Sequence, residues 1–305
     1  MSYDILVCGP MFCDVIFTDL PTMPELGTEI FAGDLTIAPG GSAIVAAGLQ
    51  RLRARVGLIA DLGTDRISLL LREMLDNLNL DRTLIREHPH PLPQLTVGLS
   101  FPQDRAFVTR FQKPAQPVDL AAVLRKYPAR HLHLSSFMGL LDIPDITGIA
   151  RRAGMTVSFD PGWDEVALRD PRLLALINEM DVFLPSQSEL CYIAQTDDVD
   201  TALTKTLDGM KNGLIVLKQG ANGATAYSRS QRLTVPALPV TPVDTTGAGD
   251  SFDAGFLFRY IQGDTLENCV RYGAVCGALS TTKAGGASAA PTYKEVQLWL
   301  SKLPS

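Results

Sequence analysis

The run Asp244-Thr245-Thr246-Gly247-Ala248-Gly249-Asp250-Ser251-Phe252 carries the densest chemical signal in this 305-residue chain. Two glycines and an alanine let the backbone approach a ligand closely. The apolar residues behind them, Phe252, Ala254, Phe256 and Leu257, begin a helix at once. The first turn of such a helix points unpaired N–H groups and the positive end of its dipole outward, which makes an anion site suited to phosphate. A carboxylate set inside an anion site repels what the site attracts. Its presence makes sense if Asp250 removes a proton from an attacking hydroxyl. The same acid can instead be a plain helix-start residue, and a glycine-rich turn with an Asp weighs the two readings about equally.

Four further places have residue types that touch ligands elsewhere, each with an ordinary structural alternative. Pro39-Gly40-Gly41-Ser42-Ala43 opens a helix, and paired glycines permit positive φ and close approach; a simple loop-to-helix turn needs them too. Asp14 follows the first strand, and ligands of open α/β sheets gather at the carboxyl ends of strands, although a solvated turn acid reads the same way. Lys218-Gln219-Gly220-Ala221-Asn222-Gly223-Ala224 suits either a nucleotide-contacting loop or a hairpin. Ala284-Gly285-Gly286-Ala287-Ser288 can accept a flat ring or can link two helices.

The elements that must position these residues follow from periodicity. Ile5-Leu6-Val7-Cys8 is a continuous apolar run, as expected for a strand buried on both faces. A small-residue helix is predicted over 43–52, a strand over 56–60, and then an amphipathic helix with leucines at 69, 70, 71, 75 and 78. Residues 15–38 lack a helical period. Over 91–112 the pattern alternates, predicting two antiparallel strands joined near Pro102-Gln103-Asp104. Further strands are predicted at 131–135, 156–160, 182–184 and 214–218, separated by helices, and three helices fill 247–303. Strands alternating with helices imply a doubly wound α/β fold: a mostly parallel sheet with helices on both faces. The whole chain, 1–305, reads as one such domain with a small β-sheet inserted from about 15–38 and 91–112.

Composition narrows the partners. The net charge is −6 and no Lys/Arg run exceeds a pair, which disfavours nucleic acid. Neither a basic leader nor a long apolar stretch occurs, so a cytoplasmic protein without membrane contact is expected. Five cysteines, at 8, 13, 191, 269 and 276, lack metal or redox spacing and read as reduced thiols, with Cys8, Cys191 and Cys276 as buried small hydrophobes. No Gly-Lys-Ser/Thr phosphate loop is present. His131 and His133 share a strand face, where a partly buried pair is expected over a metal site, and His88 and His90 read as surface loop residues. Arg105 and Arg110 are expected to be solvated, with a clamp on a phosphorylated sugar as the lesser alternative.

Taken in order, Asp14, Gly40-Gly41, Glu189 within Pro185-Ser186-Gln187-Ser188-Glu189, Lys218–Gly223 and Asp244–Phe252 resemble the ribokinase-like (PfkB-type) carbohydrate kinase family over essentially the whole chain. The DTTGAGDSF run is the specific part. The resemblance implies an ATP-dependent kinase acting on a hydroxyl, a primary alcohol, of a sugar-like molecule, with Asp250 as base and Gly247, Ala248 and Gly249 as the anion hole. Asp14, Gly40, Gly41 and Val45 fall on sugar contacts. Lys218, Gly220, Gly223, Thr246, Gly285 and Gly286 fall on the ATP side, with Ser280–Gly286 along the adenine pocket. Glu189 falls on the acid that organises Mg²⁺ through water, and Asp244 with Thr246 on a monovalent-cation (K⁺) site. The inserted β-sheet would be a lid, through which a homodimer is an available arrangement. Two departures affect the acceptor and metal positions: Val45 and Ser186 stand where Asn is usual. A third, Ala289 where Ser is frequent, weakens the case for K⁺. A nucleoside kinase with a slot from Val45, Phe12 and Phe137, and a catalytically silent sugar-binding regulator, are the competing readings.

Overall fold

The computed structural model describes residues 2–101, 105–211 and 213–302; the turn expected at 102–104 lies outside them. In chain order the elements begin with β1 (Ile5–Cys8), β2 (Met11–Thr18), β3 (Asp34–Gly41), α1 (Ser42–Arg51), β4 (Val56–Leu62) and α2 (Arg66–Asn77). There follow β5 (Ile85–Glu87), β6 (Gln94–Ser100), β7 (Arg105–Phe111), α3 (Leu120–Lys126), β8 (His131–Ser135), α4 (Ile146–Arg152), β9 (Thr156–Asp160) and α5 (Pro171–Ile177). The remainder is β10 (Val182–Phe183), α6 (Gln187–Ala194), α7 (Val199–Gly209), β11 (Leu214–Lys218), β12 (Ala224–Tyr227), β13 (Arg232–Val235), α8 (Ala248–Tyr260), α9 (Leu266–Ser280) and α10 (Tyr293–Leu300).

Nine strands form one sheet in the order β13-β12-β11-β10-β9-β8-β1-β4-β5. Strand β1 pairs in parallel with β4 on one side and β8 on the other. Successive strands therefore depart in opposite directions from β1, and the crevice beyond its carboxyl end is where such sheets hold ligands. Both faces are covered, as the all-buried β1 requires. One apolar core joins α1, α8 and α9 to the sheet through Val45, Leu49, Phe256, Val275 and Cys276. The other, on the opposite face, gathers Leu134, Phe159, Leu190 and Ile215. Strands β12 and β13, which the apolar pattern did not predict, close one edge as an antiparallel hairpin.

The separate small sheet has the order β3-β2-β6-β7. It begins earlier than residue 15, and this corrects the placement of Asp14. That acid lies inside β2, opposite Ala38 of β3 and Thr96 of β6, rather than in a turn after β1. Because side chains alternate along a strand, Phe12, Asp14, Thr96, Thr109, Phe111 and Arg105 share one face of this sheet. Val15, Ile37, Leu35, Val97 and Val108 share the other.

Two histidine expectations need correction. His131 and His133 are fully buried, because Thr156 and Ser158 of β9 supply their hydrogen bonds at 2.7–2.8 Å. Burial pushes His131 down to about 3 and His133 to about 4, so both are neutral. His88 is half-buried and bonds Asp61 at 2.7 Å, because Asp61 also gathers Arg86; only His90 is an exposed loop residue. All five cysteines are free thiols, and Cys191 is half-buried rather than enclosed because α6 turns it toward the surface. Among the described residues no helix is long and apolar enough to cross a membrane.

Candidate active site

Helix α8 starts abruptly at Gly247, which takes φ 71°, a left-handed conformation that costs glycine little. A Cβ there would lie 2.8 Å from Ile44 Cδ1, so the loop can pack onto α1 only with glycine at this position. Almost every side of α8 is buried, since Ser251 through Phe258 all lie in the core. Low-dielectric surroundings strengthen the positive end of the helix, and Asp250 sits in its first turn. Asp244 holds the approach to this turn. One of its oxygens accepts the Thr246 N–H at 2.8 Å and the other the Gly285 N–H at 3.2 Å. The loop before α8 and the Gly285-Gly286 turn, both glycines at positive φ, are thereby tied together.

The Gly40-Gly41 pair has two separate jobs. A Cβ on Gly40 would strike the Asp14 carboxylate at 2.0–2.3 Å, so Gly40 leaves the space Asp14 occupies. Gly41 adopts φ 60° and forms the start of α1. Asp14 and Asp250 face the same crevice closely enough to feel each other's charge. Burial, then the charges of Asp250 and Asp244, push Asp14 up to about 8. Beside Asp14 the rings of Phe12 and Phe111 meet at 6.0 Å between centroids. Ser135, at the carboxyl end of β8, has a buried hydroxyl next to Gly9 with no hydrogen-bond partner among the described residues.

Below Asp250 lies a buried ionic group. The Lys218 ammonium donates to Asp160 at 2.8 Å and to both oxygens of Asp253 at 3.3 Å. It also lies 3.4 Å from where a Cβ on Gly249 would be, directly under the glycine turn. Burial works against the charge of Lys218, but Asp160, Asp253 and Glu189 hold it firmly protonated. Burial likewise opposes the charge of Asp160, yet Lys218 keeps it below the usual carboxylate range, while burial raises Asp253 well above it. Burial, Asp160 and Glu189 push Asp250 up to about 7, with Lys218 opposing. A carboxylate poised near neutrality is suited to taking a proton.

Glu189 caps its own helix α6, accepting the Ser186 N–H at 2.6 Å while the Ser186 hydroxyl accepts the Glu189 N–H at 3.3 Å. Burial and Asp160 raise it. Asp160, Glu189, Asp250 and Asp253 thus gather around one ammonium, whose charge opposes the rise of each carboxyl. Among the described residues no three His, Cys, Asp or Glu side chains converge into a metal cage.

A sequence profile described as pfkB family carbohydrate kinase matches residues 4–293. The chain belongs to that family. This kinase is 31% identical over 290 residues to a fructokinase of Klebsiella pneumoniae, covering 87% of this chain and 92% of the relative. It is 30% identical over 308 residues to an ATP-dependent ribose-1-phosphate kinase of Halopiger xanaduensis, covering 98% of each. Arabidopsis thaliana ribokinase, solved with ribose and ATP, has the same fold, with a TM-score of 0.83 and 22% identity over all of both chains.

Residues 247–250 and Asp14 converge on one crevice, with Gly40 and Gly41 at its rim. Gly220 and Gly223 form the β11–β12 hairpin turn, at φ 55° and 89°. Lys218 ends β11, and its side chain is taken up by Asp160 and Asp253 rather than directed along that turn. Val45 is fully enclosed in the core between α1, α8 and the sheet, so it offers no accessible surface to the crevice. Phe137 belongs to the core on the opposite side of the sheet, so Val45, Phe12 and Phe137 do not form one slot. The aromatic partner that meets Phe12 is Phe111. Val45→Asn accordingly acts on stability first: an unpaired buried amide costs about 1–3 kcal/mol, read as a lowered urea midpoint, and an unchanged midpoint would contradict it. Sequence reading missed Asp160 and Asp253. Both carried a signal, one as an acid ending a strand and the other as an acid one turn beyond Asp250.

Proposed function

We propose that this kinase transfers the γ-phosphoryl group of ATP to a hydroxyl, a primary alcohol, of a sugar or sugar-like molecule. The observation that carries the reading is Asp250 in the first turn of α8, poised near neutrality and facing Asp14 across the crevice. In this reading the acceptor hydroxyl loses its proton to Asp250, and its oxygen bonds the γ-phosphorus. The bond to the β-phosphate oxygen breaks, leaving its electron pair on ADP. The N–H groups of the 247–249 turn hold the phosphoryl oxygens. Asp14 orients the acceptor by accepting from its hydroxyls, and Glu189 would hold water around Mg²⁺. When bound, Mg²⁺ neutralises charge on the phosphate oxygens. The Gly285-Gly286 turn and the 218–223 hairpin flank the nucleotide, and Asp244 with Thr246 is assigned to K⁺.

The small sheet acts as the lid of a single 1–305 domain, excluding water that would compete as acceptor. Its outer face exposes Leu35, Ile37 and Val108, with Phe31 nearby, which favours a homodimer through the lid. Light scattering that gives a monomer mass would refute that arrangement.

An ADP-release panel over fructose, ribose, sugar acids, sugar phosphates and nucleosides, with KCl or choline chloride, tests the activity, acceptor and cation together. Release confined to nucleosides would move the assignment to the nucleoside reading, which the Phe12–Phe111 pair favours as second choice. No release with any acceptor would contradict kinase activity of this kind. Assayed at about pH 9, where Asp14 is ionised, Asp14→Ala should raise the KM for the acceptor by about 10–100-fold, since hydrogen bonds to a charged group contribute about 1.5–3 kcal/mol. The KM for ATP should stay nearly constant. A shift in the ATP value alone would place Asp14 on the wrong side of the crevice.

A further inference from the structure

The small sheet brings a cation to the anion loop. Arg105 opens β7 opposite Ser100, at the end of the sheet farthest from the Phe12–Phe111 contact. It shares the crevice-facing side with Asp14, through the Asp14–Thr96–Thr109 row and two further pleats. Its Nη1 donates to Thr245 Oγ1 at 2.5 Å, a bond spanning 140 residues. The guanidinium carbon also lies 5.6 Å from the centroid of the Phe107 ring. Thr245 stands two residues before Gly247, where α8 begins. A second contact of the same sense lies on β3, where Thr36 Cγ2 is 3.4 Å from the Cβ position of Gly285. The face that carries Asp14 therefore also carries a guanidinium to the rim of the 247–250 turn.

The charges already there leave a role for it. Lys218 is taken up by Asp160 and Asp253, while Asp14, Asp244 and Asp250 stand close enough together that the latter two push Asp14 up. Phosphoryl transfer spreads negative charge over three equatorial oxygens, and a planar guanidinium with five donors matches such a group. We propose that Arg105 is a catalytic residue delivered by the small sheet: held on Thr245 in this structure, its guanidinium donates to the phosphoryl group in flight. This rests on the kinase reading above. Arg105 exchanges no proton; the acceptor proton still goes to Asp250, and the breaking bond still leaves its electron pair on ADP. Because the cation arrives on the sheet that covers the acceptor, charge stabilisation is complete only when the acceptor is covered.

The test compares the wild-type chain with Arg105→Ala and Arg105→Lys, using the acceptor that turns over best. Wild-type turnover establishes the kinase reading independently of either variant. Arg105→Ala should lower kcat by about 10–100-fold while both KM values move less than about threefold. Arg105→Lys should recover part of the loss, and added ethylguanidinium should raise the alanine variant toward wild type. A binding readout separates this from general damage: ADP with aluminium fluoride and acceptor should bind the alanine variant about tenfold more weakly, with ADP alone unchanged. A kcat within about threefold of wild type, a loss confined to the acceptor KM, or equal weakening of ADP and its fluoride complex would each overturn the assignment.

Discussion

Asp250→Asn lowers kcat by about 10²–10⁴-fold while ATP binding and the urea midpoint stay close to wild type. The amide keeps the shape of the carboxylate and cannot accept the acceptor's proton. Its effect is separable from folding because Asp250 is half-buried at a helix start rather than packed in the core. Turnover within a few-fold of wild type would remove Asp250 from the mechanism. The pH dependence gives a second check. Asp250 is pushed up to about 7 and must be ionised to act, so kcat/KM of the free enzyme should fall as pH drops through that value. Asp14 shares the field and lies near 8, so the limb belongs to the pair and not to either residue singly. The stability sign runs the opposite way. Both carboxyls hold protons in the folded state that the unfolded chain has released, so their contribution to stability falls as pH rises from about 4 toward 8.

Lys218→Met should destabilise the fold by about 3–5 kcal/mol, because it strips the ammonium from the buried Asp160 carboxylate and the Asp253 carboxyl beside it. Urea unfolding at neutral pH measures it. The same change should raise the acid limb of kcat/KM, since Lys218 is the charge that opposes the upward push on Asp250. The midpoint should recover in part at pH 5, where Asp160 can take up a proton in the absence of the ammonium that holds it ionised. A variant of wild-type stability with an unmoved pH profile would show that Lys218 neither supports the fold nor tunes the base. Asp253→Asn should be milder than Lys218→Met. Burial already favours the neutral carboxyl at Asp253, and an amide preserves its volume and hydrogen bonding.

Local sequence determined more of this protein than of its interior wiring. The DTTGAGDSF run marked the glycine turn, the start of α8 and Asp250 as candidates because close backbone approach demands small residues and a helix start demands apolar residues immediately behind them. The β1 run and the strand–helix rhythm specified a parallel sheet with covered faces, since each reports burial along a short stretch. What stood beyond local reading depended on distance in the chain. The membership of Asp14 in the small sheet is decided by its pairing with Ala38 and Thr96, which no single segment encodes. Whether Val45 meets a ligand or the core depends on α8, two hundred residues later, packing over α1. Lys218 looked like part of a glycine turn, and only the convergence of the ends of β9 and β11 with α8 made it the centre of a buried ion group. Arg105 looked like a solvated strand residue until the small sheet lay against Thr245. Spacing along a chain determines which backbone shapes and chemical groups exist; tertiary packing decides which charges share a low-dielectric space, and that sharing sets their protonation and their work.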